Sequence, residues 1–169
     1  LKKIYYTVLN NGWNEFTFYC DSKIYPSCAE DVKTLANNNP YVALINNFVN
    51  PYNSYQKFNT LVTNDKIVNI KIDKLYNENE ISATDSKINT IFKSLNINTT
   101  NPTRNDIKAL HNYLIRTITY DTAYTPEAVD KSPSKAYFAL TSGKAICSGY
   151  SDSFALMMDK LNIPNFKVS

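Results

Sequence analysis

The sequence predicts an α+β protein in two parts: a small N-terminal ββαββ unit over residues 1–80 and a helical lobe over residues 81–169. Two observations lead there. The apolar residues of the first part recur mainly with period two, around turn-forming "NNG" and Asn64-Asp65-Lys66, whereas from Ile81 onward they recur with the period of a helix. At 169 residues the chain is long enough to bury one good core with a small satellite unit.

In "KKIYYTVLNNGWNEFTFYC", Ile4, Tyr6 and Val8 alternate with Lys3, Tyr5 and Thr7, and Phe16, Phe18 and Cys20 alternate again after the turn, which reads as a β-hairpin. "CAEDVKTLANNNPYVALINNF" carries its acids early and places Val32 and Leu35 at helical spacing. Pro40 then interrupts before an apolar run from Val42 to Phe48, so a helix followed by a break is expected. "YQKFNTLVTNDKIVNIKIDKLY" gives a second hairpin, with Ile67, Ile70 and Ile72 among its apolar positions.

The second part is helical. Ile88, Ile91, Phe92 and Leu95 share one face, and Ile107, Leu110, Leu114 and Ile118 form the next stripe behind a capping Thr103. "SPSKAYFALTSG" reads as a third helix, with Ser132 as cap, Pro133 in the first turn and Gly143 as the stop. A fourth opens at Cys147 and buries Phe154, Met157, Met158 and Leu161, and "NFKVS" begins a strand.

Charge and composition narrow the function classes. The net charge of +3 comes without a run of Lys or Arg, and no aromatic and basic residues alternate on a strand, so nucleic acid is not an expected partner. No apolar stretch is long enough to span a bilayer. The single histidine, His111, stands apart from the cysteines, so neither a metal nor a cofactor is expected. Leu1 opens the chain without a start methionine, and the expectation is a processed leader or a cut at a domain edge. Cys20 and Cys28 are close enough to pair, leaving Cys147 as the odd thiol, although three unrelated reduced thiols fit the spacing as well.

Cys147 is the residue that points to chemistry. A thiol at a helix start meets unpaired backbone N–H groups and the positive end of the helix dipole, both of which favour a thiolate. Two of the three glycines, Gly143 and Gly149, flank it. The competing reading is a buried small hydrophobe.

"HNYLIRTITYD", followed by "SKAYFALTSGKAICSGYSDSFALMMDKLNIPNFKV", resembles the transglutaminase-like superfamily, whose bacterial members share an HxYI…YD helix and a G-K-x-x-C-x-G-Y segment ahead of LGIP-type residues. The resemblance covers about the last third of the chain, and the N-terminal unit is similar in pattern to the region preceding this core in bacterial, surface-associated members. It implies a papain-like arrangement, in which a helical lobe presents Cys147 as nucleophile toward a sheet that brings a histidine and then an aspartate. It further implies a protein or peptide substrate, bound with the help of Gly149 and Tyr150, and an extracellular or cell-surface location. Gly149 would let substrate backbone approach the first helical turn. The oxyanion would be held by the Cys147 N–H and an upstream donor, with Thr141 and Ser142 nearest in sequence.

In that family the histidine and aspartate lie downstream of the "IPxxxV" position, and residues 1–169 hold neither of them. His111 matches a packing histidine, and Asp121 reads as a loop hydrogen-bonding residue. The expectation is therefore a cysteine acyltransferase or amide hydrolase that is inactive as residues 1–169. The alternative is a non-catalytic scaffold binding a peptide or cell-wall component. The Phe154, Met157 and Leu161 face is expected to be bare unless further chain or another copy covers it.

Overall fold

The computed structural model describes residues 1–37, 40, 44–64, 66–125 and 130–168. The architecture is α+β and divides into two compact units, one built on Leu1–Leu75 and the other on Tyr76–Lys167.

The first unit opens with a helix where the alternating pattern predicts a strand. Helix α1 spans Lys2–Asn10 and buries Tyr5, Val8 and Leu9, a set spaced i, i+3, i+4, while Tyr6 of the expected strand face is exposed. Both periods fit so short a segment, and packing chooses between them. The Tyr5 ring meets Phe16 and Phe58 edge-on, with centroids 6.1 and 5.2 Å apart, contacts that fix the helix against the sheet. The unit is therefore αβαββ rather than ββαββ.

Strand β1 (Glu15–Tyr19), helix α2 (Cys28–Asn37) and strands β2 (Tyr55–Thr63) and β3 (Ile67–Lys74) follow. The antiparallel sheet has the order β1-β3-β2, so β1 adds to the free edge of the β2–β3 hairpin instead of forming a hairpin of its own. Phe16 faces Ile70 and Phe18 faces Val68 across one edge of β3, and Phe58 faces Ile72 across the other. Val68, Ile70 and Ile72 are buried whereas Ile67 is exposed, because side chains alternate faces along a strand and Ile67 has the opposite parity to Ile70 and Ile72. The hairpin position Asp65 and the stretch 41–43 after Pro40 lie outside the described residues. Cys20 and Cys28 form a disulfide that joins the end of β1 to the start of α2, and Cys147 is free.

In the second unit, helices α3 (Glu78–Ser94) and α4 (Arg104–Thr117) each begin with a reciprocal cap, Asn77 with Glu80 and Thr103 with Asp106. The Thr103 hydroxyl and backbone N–H hold the Asp106 carboxyl below the usual aspartate range, so this cap is formed at neutral pH and is lost as acid protonates it. Ile88, Ile91, Phe92, Leu110, Leu114 and Ile118 are buried as their spacing predicts.

Strand β4 (Thr119–Tyr120), helix α5 (Ala136–Ser142), strand β5 (Lys144–Ala145) and helix α6 (Cys147–Lys160) complete the unit. The helix expected from Ser132 is split: Ser132–Ser134 forms a 3-10 turn, extended Lys135 follows, and α5 starts at Ala136. Gly143 ends α5 in the left-handed region at φ 72°, as its placement suggests. Met157, Met158 and Leu161 are buried and Phe154 is half-buried, so the face expected to be bare is largely covered; α6 packs against α4 and α5. Residues 163–168 carry no strand, because no described strand pairs with them. Among the described residues no helix is long and apolar enough to cross a membrane.

Cys20 and Cys28 are nearly inaccessible and eight residues apart. Closing a loop of that size stabilises the folded unit by about 2–3 kcal/mol. Replacing both by serine should lower the unfolding free energy of the first unit by that amount in a denaturant titration, and a non-reducing peptide map of the native chain should contain the linked peptide.

Candidate functional site

Cys147 is the first helical residue of α6 and its side chain is exposed. Three features of the sequence put it there: the left-handed turn at Gly143, the two-residue strand β5, and Ile146 in extended conformation at the N-cap (φ −94°, ψ −178°). Ile146 has no side-chain acceptor, so the first-turn N–H groups are not capped by its side chain and are left to a developing negative charge.

The Cys147 turn is pinned from two sides. On one, Pro133 O accepts the Ile146 N–H at 2.9 Å. Gly149 nests under the same carbonyl: a Cβ at this position would lie 2.7 Å from Pro133 O and 2.8 Å from the Ala145 Cβ. On the other side, β4 and β5 pair in parallel, with Thr119 N–H donating to Gly143 O and Asp121 N–H to Ala145 O, each at 2.8 Å. Tyr150 adds a side-chain tie, its hydroxyl donating to Ile118 O at 2.6 Å.

Beneath this turn lies a buried polar network that sequence reasoning missed. Tyr76 Oη donates to Asp152 Oδ2 at 3.0 Å and accepts the Ala136 N–H, the first of α5, at 2.7 Å. Lys167 Nζ closes the other Asp152 oxygen at 2.6 Å. Asp152 is only 3 % exposed, and a buried carboxylate is tolerable because both oxygens are partnered. Next to it, Lys135 Nζ bonds both oxygens of Glu80, at 2.8 and 3.1 Å, and lies 5.9 Å from the centroid of the Tyr76 ring. One signal was available: an aspartate five residues after Cys147, inside a helix that is otherwise mostly apolar.

The other sequence candidates are spread more widely. His111 is exposed on α4, with its ring edge-on to Phe154 (centroids 6.3 Å apart) and Nδ1 3.4 Å from Asn112 Oδ1. Phe154 is two turns from Cys147, about 10 Å along the axis. Asp121 Oδ1 accepts the Ala123 N–H at 3.1 Å, a loop role. Thr141 and Ser142 donate their hydroxyl protons back to Tyr137 O and Phe138 O, both at 2.7 Å, and so offer none to an oxyanion. Gly149 is buried, with protein backbone where an approaching substrate was expected, and the Tyr150 hydroxyl proton is already given to Ile118. Among the described residues no three His, Cys, Asp or Glu side chains gather in a way that could hold a metal ion.

Residues 91–165 match the transglutaminase-like superfamily. No curated protein matches the chain. Among solved structures, the crystal structure of a TGase is similar over 62 % of this chain and 35 % of that one, at 16 % identity and a TM-score of 0.42. The chain thus spans about a third of the length of that structure.

Two substitutions probe the packing under Cys147. Gly149→Ala sets a methyl against a carbonyl and a short buried side chain, neither of which can swing away, and should cost about 1–3 kcal/mol in spite of alanine's better helix propensity. Tyr76→Phe leaves the Ala136 N–H and one Asp152 oxygen unpaired in the interior and should cost about 2–4 kcal/mol. Thermal or urea unfolding reads both.

Proposed function

From the premise that residues 91–165 are transglutaminase-like, we propose that Cys147 is the nucleophile of an acyl-transfer or amide-hydrolysing site acting on a protein or peptide carboxamide. The observation that carries this reading is the placement of a free, exposed thiol as the first residue of α6. The thiolate attacks the carboxamide carbon. The carbon–nitrogen bond then breaks, the leaving nitrogen takes a proton from the protonated base, and a thioester remains. An amine or water cleaves the thioester and restores the thiol. The Cys147 N–H is the oxyanion donor within this chain in this reading.

In this reading His111 is not the general base, because its ring lies edge-on to Phe154, two turns along α6 from Cys147. The buried Cys20–Cys28 disulfide supports an extracellular or cell-surface setting, where such bonds persist. The second reading is a scaffold that binds a peptide or cell-wall component without reacting with it.

The test is the alkylation rate of Cys147 in the folded chain against the same chain in denaturant. A nucleophile at a helix start reacts faster when folded, and equal rates would reject the assignment. Incubated with a glutamine-containing peptide and an amine donor, residues 1–169 should form no product. Product formation would move the base to His111.

A further inference from the structure

The backbone bond that closes the first turn of α6 is long: the Tyr150 N–H reaches Ile146 O at 3.3 Å. A thiol at that end gains from the N–H groups and the dipole only while the turn stays wound. Part of what winds it lies outside the helix.

Tyr150 Oη donates to Ile118 O at 2.6 Å, the shortest tie between the Cys147 turn and an element distant in sequence among those described above, and the Tyr150 ring stacks on Tyr120 with centroids 6.4 Å apart and planes 17° from parallel. Ile118 is the C-cap of α4 and has left the helical conformation (φ −110°, ψ 131°). It leads directly into β4, whose backbone is bonded to Gly143 and Ala145 just ahead of Cys147. Cys147 and Tyr150 are three residues apart on one helix and so share a face, which means that a turn fixed at Tyr150 is fixed at Cys147.

We propose that Tyr150 is the positioning residue of the Cys147 turn: its hydroxyl locks the start of α6 to the end of α4 and thereby sets the reactivity of the thiol. This rests on the nucleophile reading above and changes the part played by Tyr150 from touching substrate to holding the residue that does. Its hydroxyl proton is committed to Ile118, and what it controls is the geometry of its neighbour.

The experiment compares wild type, Tyr150→Phe, Tyr150→4-aminophenylalanine, which restores an N–H donor at the same reach, and Tyr120→Phe, which keeps the ring stack. Each is read by the iodoacetamide rate at Cys147 in the folded chain, by amide hydrogen exchange of residues 147–151, and by melting temperature. Tyr150→Phe should slow alkylation about twofold to tenfold, the range expected for one net hydrogen bond, and speed exchange in the turn. The 4-aminophenylalanine variant should recover both, and Tyr120→Phe should change neither. A wild-type rate in Tyr150→Phe overturns the proposal and leaves the nucleophile reading standing. A fall in rate that tracks the melting temperature and is not recovered by 4-aminophenylalanine also overturns it, marking Tyr150 as ordinary packing. If wild-type Cys147 reacts no faster than the denatured thiol, the nucleophile reading fails, and the exchange of residues 147–151 alone decides whether Tyr150 positions the turn.

Discussion

The phenol oxygen of Tyr76 is the point on which the second unit depends. It gives its proton to Asp152 in the second turn of α6 and takes the first N–H of α5, so one atom ties the start of α5 to the body of α6. Burying a carboxylate is costly, and the cost is offset only while Tyr76 and Lys167 both face it. A leucine at 152 would remove the bonds that join α6 to Tyr76 and to Lys167.

From that anchor follows the geometry of the Cys147 turn. With α5 started at Ala136, the preceding residues Pro133 to Lys135 run across the base of α6, and their carbonyls come so close that only glycine fits at 149. Pro133 O then has a second use, holding Ile146 by its N–H. Packing below and pairing with β4 beside it leave one side of the turn open, where the exposed thiol sits. The turn is held by contacts with segments distant in sequence, through backbone hydrogen bonds with Pro133 and β4 and through the Tyr150 hydroxyl on Ile118.

The first unit makes a different use of the same physics. Its sheet buries one face of β3 on both edges, and α1 and α2 supply apolar side chains, Tyr5, Val8, Leu9 and Val32, to the core that this face joins. Tyr5 is wholly buried, which pushes its phenol above the usual tyrosine range, with the nearby Thr60 hydroxyl opposing that shift. The disulfide closes the short loop between β1 and α2 and adds to a core that so small a unit can make only modest in size.

What was legible in the amino acids alone was whatever depends on neighbours along the chain. The helical stripes from Ile88 to Ile118, the Thr103 cap, the stop at Gly143 and the helix start at Cys147 follow from local spacing and local hydrogen-bonding chemistry, which hold in any surroundings. Tertiary packing decided the rest. Residues 2–10 satisfy a strand period and a helix period, and the room for Tyr5 between Phe16 and Phe58 selects the helix. Spacing allowed Cys20 and Cys28 to pair or to stay apart, and only the meeting of β1 with α2 joined them. Gly149 and Tyr150 read in sequence as residues close to a substrate; the fold sets Gly149 against the carbonyl of Pro133 and bonds Tyr150 to Ile118, while Asp152, which carries no reading in the sequence, bonds Tyr76 and Lys167. No local pattern carries such information, because a buried hydrogen bond is specified by where two distant segments meet.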